Sequence, residues 1–335
     1  MTRFGTLALA ATAGLALQAT AATAQVAPEM KAKIAEIGRI VDPPSTAALY
    51  GPLQPKAPYA GVTVARDIKY GPDPRNILDV FTVSNTGSRP VLIFVPGGAG
   101  NKIEPVPHGE AFYDNVMLWA TKNGMVGVNM QRHSEFMPWD LSARDIAQTV
   151  DWVKKNIARY GGDPNRVFIW GHSAGAMNLS VYLSHPELYP QGGVGVKAAV
   201  LMAGPYNLAP LQGKAPPIRL RLQPGGPVVG IDAIAAPPAG AAPAGPPPNP
   251  ADPRNGAVLP GLRALDIPLY VNAAELDPEA LVESAQMLKD QLCAAGKCPK
   301  FDIFKDHGHM SEIFAVNTSD VSTSAPVLEF LRAVR

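Results

Sequence analysis

The sequence feature that most constrains the fold is the segment RVFIWGHSAGAMNLSVYLS, residues 166–184. Its early part, residues 167–170, is short, apolar and rich in β-branched and aromatic side chains, which favours a buried strand. The small and apolar residues after Ser173 favour a buried helix, so Ser173 lies in a strand-to-helix turn. In so tight a turn, side chains at Gly171 and Gly175 would collide with neighbouring strands and the helix. This geometry exposes the Ser173 hydroxyl above the edge of a sheet.

The histidine beside that serine, His172, is a candidate base by its sequence position alone. Adjacent residues in such a tight turn project in different directions, so His172 is not expected to reach its neighbour. We interpret it as part of a pocket wall or as a packed histidine whose hydrogen bonds are satisfied. The base is therefore expected elsewhere in the chain.

A second glycine-rich turn lies upstream, in the segment PVLIFVPGGAG of residues 90–100. Its apolar first half favours a buried strand, and its glycines allow backbone amides to point into the space above the sheet. A tetrahedral oxyanion requires such amides, although an ordinary turn that closes a strand has the same sequence pattern. With these two turns in this order, the chain resembles an α/β-hydrolase of the carboxylesterase and lipase type.

The resemblance implies an oxyanion hole. The His-Gly-Gly-Gly motif of these proteins is matched here by PGGA at residues 96–99. By that match the donors are the backbone amides of Gly98 and Ala99, together with the amide of Ala174 after the serine. Pro96 departs from the family pattern, because a proline offers no side-chain hydrogen bond to brace the loop.

The resemblance extends over residues 61–334 and implies an α/β fold, with a doubly wound, mostly parallel sheet of about eight strands and helices on both faces. The alternation of strand-like and helical segments agrees with this fold. The first two strands are joined by a short turn, GPDPRN, and are expected to form an antiparallel edge. The strand-like segments are residues 62–68, 77–83, 91–95, 125–130, 167–170, 198–202, 269–272 and 301–304.

The serine's partners are expected later in the chain, in the order serine, acid, histidine. After the strand-like segment 269–272, Glu275 and Asp277 are both candidates for the acid. Related sequences read Gly-Glu-Leu-Asp-Pro here, which implies Asp277 as the acid and leaves Glu275 in reserve. Either carboxylate could instead be a charge near a helix N-terminus, favoured by the helix dipole.

Two histidines follow in the segment KDHGHMSEIF, residues 305–314. In the family the base is the second member of a His-x-His pair followed by a serine, which implies His309. His307 is then in reserve, as a supporting pocket residue or a solvated one.

The N-terminus predicts export. Residues 1–24 have a basic residue and a long run of small apolar residues, and they end in Ala-Thr-Ala, which is typical of a cleaved signal peptide. We therefore expect a mature chain that starts at Gln25 in the periplasm or medium and keeps no stable membrane anchor. Residues 25–57 are expected to form an N-terminal arm and residues 58–335 the catalytic domain.

The only two cysteines, Cys293 and Cys298, are five positions apart. In an oxidising compartment they could close a short loop as a disulfide, with two free thiols as the alternative.

A proline-rich insertion occupies approximately residues 211–260. Residues 236–254 within it have no helical or strand period and few bulky apolar side chains, which predicts no packed structure there. The insertion is either a lid beside the pocket or a tolerated surface insertion.

Charge excludes one class of partner. With 29 basic and 28 acidic side chains, the formal net charge is +1, which gives no basic surface for nucleic acid. We found no metal-ligand spacing, and we expect no cofactor. The resemblance implies a serine esterase that cleaves small carboxylic esters through an acyl-enzyme. A peptidase or amidase with the same residues, and a noncatalytic binding protein on a hydrolase scaffold, are the alternatives.

Overall fold

The computed structural model describes residues 26–84, 87–104, 106, 111–133, 140–206, 218–230 and 257–334. The predicted signal peptide and most of the proline-rich insertion lie outside the described residues. Along the described part of the chain, none of the helices combines the length and the apolar character that crossing a membrane requires.

A central sheet of eight strands organises the molecule, in the order β1-β2-β4-β3-β5-β6-β9-β10. The first two strands in this order pair antiparallel, as do β2 and β4, and the other neighbours are parallel. This confirms the predicted fold class and the antiparallel edge. The strands are β1 Val62–Lys69, β2 Ile77–Val83, β3 Arg89–Val95, β4 Val126–Met130, β5 Gly162–His172, β6 Ala198–Met202, β9 Leu269–Leu276 and β10 Lys300–Gly308, with β7 Arg219–Leu220 and β8 Val229–Gly230 forming a separate two-stranded sheet.

Three strands, β5, β9 and β10, extend furthest beyond the segments that the sequence predicts. Strand β5 begins at Gly162, before the predicted segment 167–170, because Gly162 pairs with Arg89. Strands β9 and β10 continue beyond their apolar stretches, and Leu276 still pairs with Gly308. The ends of β9 and β10 therefore bring the candidate acids and the candidate histidines to one edge of the sheet.

Helices cover both faces of the sheet. Alternate residues of β3 show how each strand serves both cores, since Val91 and Ile93 contact one core while Leu92 and Phe94 contact the other. The helices are α1 Pro28–Ile37, α2 Pro43–Tyr50, α3 Asp114–Lys122, α4 Leu141–Asn156, α5 Ala174–Ser184, α6 Leu259–Ala264, α7 Glu279–Ala294, α8 Ser311–Phe314 and α9 Ser324–Ala333.

The predicted N-terminal arm packs on the domain. Ile34 of α1 and Tyr50 of α2 are buried in the core on one face of the sheet, and α1 contacts β10. At the opposite end of β10, a disulfide joins Cys293 at the end of α7 to Cys298 before the strand. Segments that lie far apart in the sequence thus support the strand that leads to the candidate base.

Candidate active site

Ser173 lies in the turn between β5 and α5 with a left-handed backbone, at φ 56° and ψ −127°. This conformation is strained for a residue with a side chain, and the surrounding packing holds it in place. A Cβ on Gly175 would lie 2.2 Å from the carbonyl oxygen of Val95, and one on Gly171 would lie 2.8 Å from Cα of Ala176. The two glycines are therefore required by close backbone contacts, as the sequence predicts.

The structure brings Ser173, His309 and Asp277 into one hydrogen-bonded chain. Nε2 of His309 lies 2.8 Å from Oγ of Ser173, and Nδ1 lies 2.7 Å from Oδ1 of Asp277. Because a carboxylate only accepts, Nδ1 carries the proton and Nε2 is free to accept from the serine hydroxyl. The second oxygen of Asp277 accepts from the amide of Ala274 at 2.6 Å, which fixes the carboxylate.

The two reserve residues lie elsewhere. Glu275 accepts a hydrogen bond from the amide of Asp306 at 2.9 Å, and its side chain is exposed. His307 is fully buried, with Nδ1 3.1 Å from Oγ of Ser311 and Nε2 2.7 Å from Oγ of Ser322. Burial lowers the pKa of His307. The alternative that His307 is solvated is therefore wrong.

His172 does not contact the serine hydroxyl. Its Nε2 donates to the backbone carbonyl of His309 at 3.0 Å and lies 3.5 Å from Oε1 of Glu312. Burial, and then the charge of His309, hold the pKa of His172 well below its usual range. Burial, and then the charge of Asp277, raise the pKa of Glu312 well above its usual range. The buried ring of His172 thus holds the backbone of the loop that carries His309.

The loop that carries two of the predicted oxyanion donors lies beside Ser173. Gly98 has a left-handed backbone at φ 49°, which turns the loop after β3. Within the described part of the chain, the amides of Gly98, Ala99 and Ala174 donate no hydrogen bond. A Cβ on Gly97 would lie 3.0 Å from Cβ of Ser173, so this loop runs directly beside the serine.

An arginine that the sequence analysis missed braces this loop. Arg132 is fully buried, and it donates from Nε to the carbonyl of Pro96 and from Nη2 to the carbonyl of Gly98, each at 3.0 Å. Arg75 donates to the carbonyl of Ala99 at 3.0 Å. Arginines thus supply the support that a proline at position 96 cannot give. The available sequence signal is an arginine two positions after the largely apolar segment 125–130.

Three side chains in this region could ligate a metal ion, because atoms of His172, His309 and Glu312 lie within 4.8 Å of one another. Both ring nitrogens of His309 already contact Ser173 and Asp277. A metal at this position would have to displace one of those contacts.

The fold and the site define the class of protein. An eight-stranded sheet that carries a serine on the turn after its central strand is an α/β-hydrolase. Over 91% of its length the chain superposes on esterase B from Lactobacillus rhamnosis with a TM-score of 0.61 at 15% identity, covering 95% of that chain. A bacterial heroin esterase superposes on 92% of the chain with a TM-score of 0.64 at 20% identity, covering 98% of that chain. At these identities the likeness concerns the fold.

Sequence comparison narrows the class. Residues 77–216 match the Carboxylesterase family model. The probable carboxylic ester hydrolase LipM of Mycobacterium tuberculosis is 34% identical over 191 residues, which are 53% of this chain and 43% of that protein. The isoprenylcysteine alpha-carbonyl methylesterase ICME of Arabidopsis thaliana is 34% identical over 122 residues, 34% of this chain and 26% of that protein. The matched segments thus span less than half of these relatives. The chain thus has the α/β-hydrolase fold, and within it residues 77–216 are similar to the Carboxylesterase family.

Proposed function

We propose that this protein hydrolyses carboxylic esters through an acyl-enzyme, with Ser173 as nucleophile, His309 as base and Asp277 as the acid that orients it. One observation carries the proposal: Ser173, in a strained turn, contacts His309 at 2.8 Å, and His309 contacts Asp277 at 2.7 Å. A serine is a weak nucleophile until a base takes its proton, and a base is effective when a third group orients it.

In the first half of the reaction, Oγ of Ser173 attacks the ester carbonyl while Nε2 of His309 takes the hydroxyl proton. The imidazolium that forms is stabilised by the adjacent carboxylate of Asp277. The negative charge on the carbonyl oxygen is held by the amides of Gly98, Ala99 and Ala174, and losing one such donor typically costs about 100-fold to 1,000-fold in rate.

His309 then gives the proton to the leaving alcohol as the bond between the carbonyl carbon and the alcohol oxygen breaks, which leaves the acyl group on Ser173. In the second half, water attacks the acyl-enzyme while His309 takes its proton. The second intermediate then breaks its bond to Oγ of Ser173, which takes that proton back from His309, and the acid is released. His172 supports both halves as a positioning residue, because its ring holds the backbone carbonyl of His309 at 3.0 Å.

The likeness to carboxylic ester hydrolases and to a methylesterase favours esters over amides as the substrate class. A panel of p-nitrophenyl esters, feruloyl esters, lactones and peptide amides, measured on the mature protein, tests that choice. Faster cleavage of the amides would support the peptidase alternative.

The role of Ser173 is tested by Ser173→Ala, which we expect to lower kcat by about 10,000-fold to 1,000,000-fold while the melting temperature stays nearly unchanged. A fluorophosphonate should label the wild type covalently and leave this variant unlabelled. Ser180→Ala is the matched control, because its Oγ only donates to the carbonyl of Met177 within the same helix. A wild type that folds but neither labels nor turns over esters would support the binding-protein alternative.

Export is also part of the proposal. The signal-like sequence of residues 1–24 supports it, and the disulfide between Cys293 and Cys298 agrees with an oxidising compartment. N-terminal sequencing of protein recovered from the periplasm or medium should give Gln25 as the first residue. Recovery of the uncleaved chain from the cytoplasm alone would contradict export.

A further inference from the structure

A carboxyl group that plays no part in the proposed mechanism follows residues 96–99, the loop that carries two of the predicted oxyanion donors and that we call the oxyanion loop. Glu104 is four positions after Gly100, and its side chain is half-buried. Its backbone amide donates to the carbonyl of Phe112, and its own carbonyl accepts from the amide of Val106 at 2.9 Å. The backbone of Glu104 is therefore held, and the position of its side chain is defined.

Tyr113 fixes one of the two carboxyl oxygens. Its hydroxyl donates to Oε2 of Glu104 at 2.9 Å. The ring is buried, 4.9 Å from the ring of Phe94 and 6.3 Å from that of Phe314 by centroids. Burial, and then the charge of Glu104, raise the pKa of Tyr113 well above its usual range, so the hydroxyl remains the donor.

The other oxygen has no such partner. Among the residues that the structure describes, nothing donates to Oε1 of Glu104, and no cationic side chain lies within ion-pair distance of the carboxyl group. Burial raises the pKa of Glu104, and the Tyr113 hydroxyl and the charge of His309 offset only part of that rise. A partly buried carboxylate without a counter-charge is less stable than a paired one, so this group favours a cation that can reach it.

Two features relate the carboxyl group to the site. The charge of His309 offsets part of the rise that burial causes in the pKa of Glu104, and its partner Tyr113 packs with its ring centroid 6.4 Å from that of His172, the neighbour of Ser173. Tyr113 thus connects Glu104 to the residue beside Ser173.

We propose that Glu104, held by Tyr113, binds a protonated amine on the substrate. This subsite rests on the proposed function, because it orients an ester whose carbonyl reacts at Ser173. An ammonium group supplies both the missing positive charge and N–H donors for Oε1. A neutral hydroxyl supplies only a donor, and a charge-assisted hydrogen bond is roughly twice as strong as a neutral one.

The test compares three acetate esters of similar size: 2-(dimethylamino)ethyl acetate, its uncharged isostere 3-methylbutyl acetate, and the hydroxyl-bearing 3-hydroxybutyl acetate. At about pH 7 the amine is protonated. We expect Glu104→Gln to lower kcat/KM for the amino ester by about tenfold to 100-fold, mainly through KM. Turnover of the uncharged ester should stay within about twofold, because that ester makes no contact with the charge. Glu329→Gln is the matched control, since it removes the same charge from a carboxylate that is 82% exposed on α9.

Tyr113→Phe separates binding from a purely structural role. If Glu104 only anchors the loop by accepting from Tyr113, both variants should slow all three esters to a similar extent, and that result would overturn the subsite. An equal loss on the amino and hydroxyl esters would replace the ammonium site by a neutral-donor site. No selective change in any ester would also overturn the proposal.

A binding measurement that needs no ester hydrolysis tests the proposed subsite independently of the proposed function. Calorimetric titration with N-[2-(dimethylamino)ethyl]acetamide, an amide analogue of the amino ester, should show binding to the wild type that Glu104→Gln weakens by about tenfold or more. If the wild type cleaves none of the esters, the proposed function fails while this titration still tests the subsite. Equal binding to both proteins would exclude an ammonium site.

Discussion

The two sides of the candidate site are built differently. The turn around Ser173, which we call the serine side, is fixed by close backbone packing. Gly171 and Gly175 lie where a Cβ would meet backbone atoms of neighbouring elements. The loops that carry Asp277 and His309, which we call the histidine side, are held by side chains that lie far away in the sequence. Arg39 donates to the carbonyl of Asp277 at 2.9 Å, and His172 donates to that of His309 at 3.0 Å.

The N-terminal segment adds further contacts to the histidine side. Lys31 of α1 pairs with Asp306 at 2.7 Å, and Gln54 donates to the carbonyls of Phe314 and Val316, each at 2.9 Å. Both partners of Gln54 lie within seven residues of His309. The comparison shows that the proposed nucleophile is held by close backbone packing, whereas the loops of the proposed acid and base also contact a segment that contributes no proposed reacting group.

Gly175→Ala should have the largest effect, because it disrupts the serine side. Its new Cβ would lie 2.2 Å from the carbonyl oxygen of Val95, and backbone atoms there cannot move aside as the end of a flexible side chain could. We expect a loss of about 3 kcal/mol or more in the free energy of unfolding, together with nearly complete loss of ester turnover. Chemical denaturation and the p-nitrophenyl ester assay measure both.

Gly87→Ala is the control for that change, because a Cβ there meets nothing within 4 Å. Wild-type stability and turnover in Gly175→Ala would show that the turn can relax and that the serine side is less constrained than its contacts indicate.

Arg39→Ala tests the histidine side and should have a smaller effect. Arg39 is exposed, and its guanidinium contacts only the backbone of the acid loop, so we expect kcat to fall about threefold to tenfold with KM unchanged. Arg39→Lys should restore part of the loss by keeping a donor. Arg332→Ala, near the end of α9, is a matched control for the lost charge. Unchanged kcat in Arg39→Ala would mean that the acid loop holds its position without the N-terminal segment.

Glu312→Gln should have the smallest effect, confined to the pH dependence of stability. Burial raises the pKa of Glu312 above its ordinary value of 4.5. The folded protein therefore keeps a proton that the unfolded chain loses as pH rises above this value, so this group's contribution to stability is present at low pH and is lost at higher pH. Glutamine does not titrate.

The melting temperature of Glu312→Gln relative to the wild type should accordingly rise with pH, measured from pH 4 to pH 9. His172, His309 and Asp277 face this carboxyl group in both proteins, so their own titration largely cancels in the difference. A difference that stays constant across this range would mean that Glu312 is ionised in the folded protein.

The comparison also explains what the sequence can predict. All eight strands of the main sheet and its antiparallel edge follow from local apolar patterns, and the turn around Ser173 follows from two glycines. The family resemblance favours Asp277 over Glu275 and His309 over His307, and the structure contains the contacts of both favoured residues. Their roles in catalysis stay predictions until turnover is measured.

The remaining features depend on contacts between distant segments. Nothing near Arg132 in the sequence indicates that its guanidinium reaches the loop after β3. Glu104 and Tyr113 are nine positions apart, and only the course of the chain between them creates their hydrogen bond. The packing of α1 and α2 on the sheet likewise follows from tertiary contacts, because their short apolar patterns do not specify a partner.

The braced oxyanion loop has a consequence for the strength of its amides. Each predicted donor belongs to a peptide group whose carbonyl is already engaged: the carbonyl of Gly97 accepts from Gly100, that of Gly98 from Arg132, and that of Ser173 from Met177. A peptide group that accepts at its oxygen is polarised, and its N–H becomes a better donor by roughly 10–30% per bond. Each of the three predicted donors is therefore the end of a chain of hydrogen bonds. Residues that do not contact a developing oxyanion thus strengthen the hydrogen bonds that it would accept.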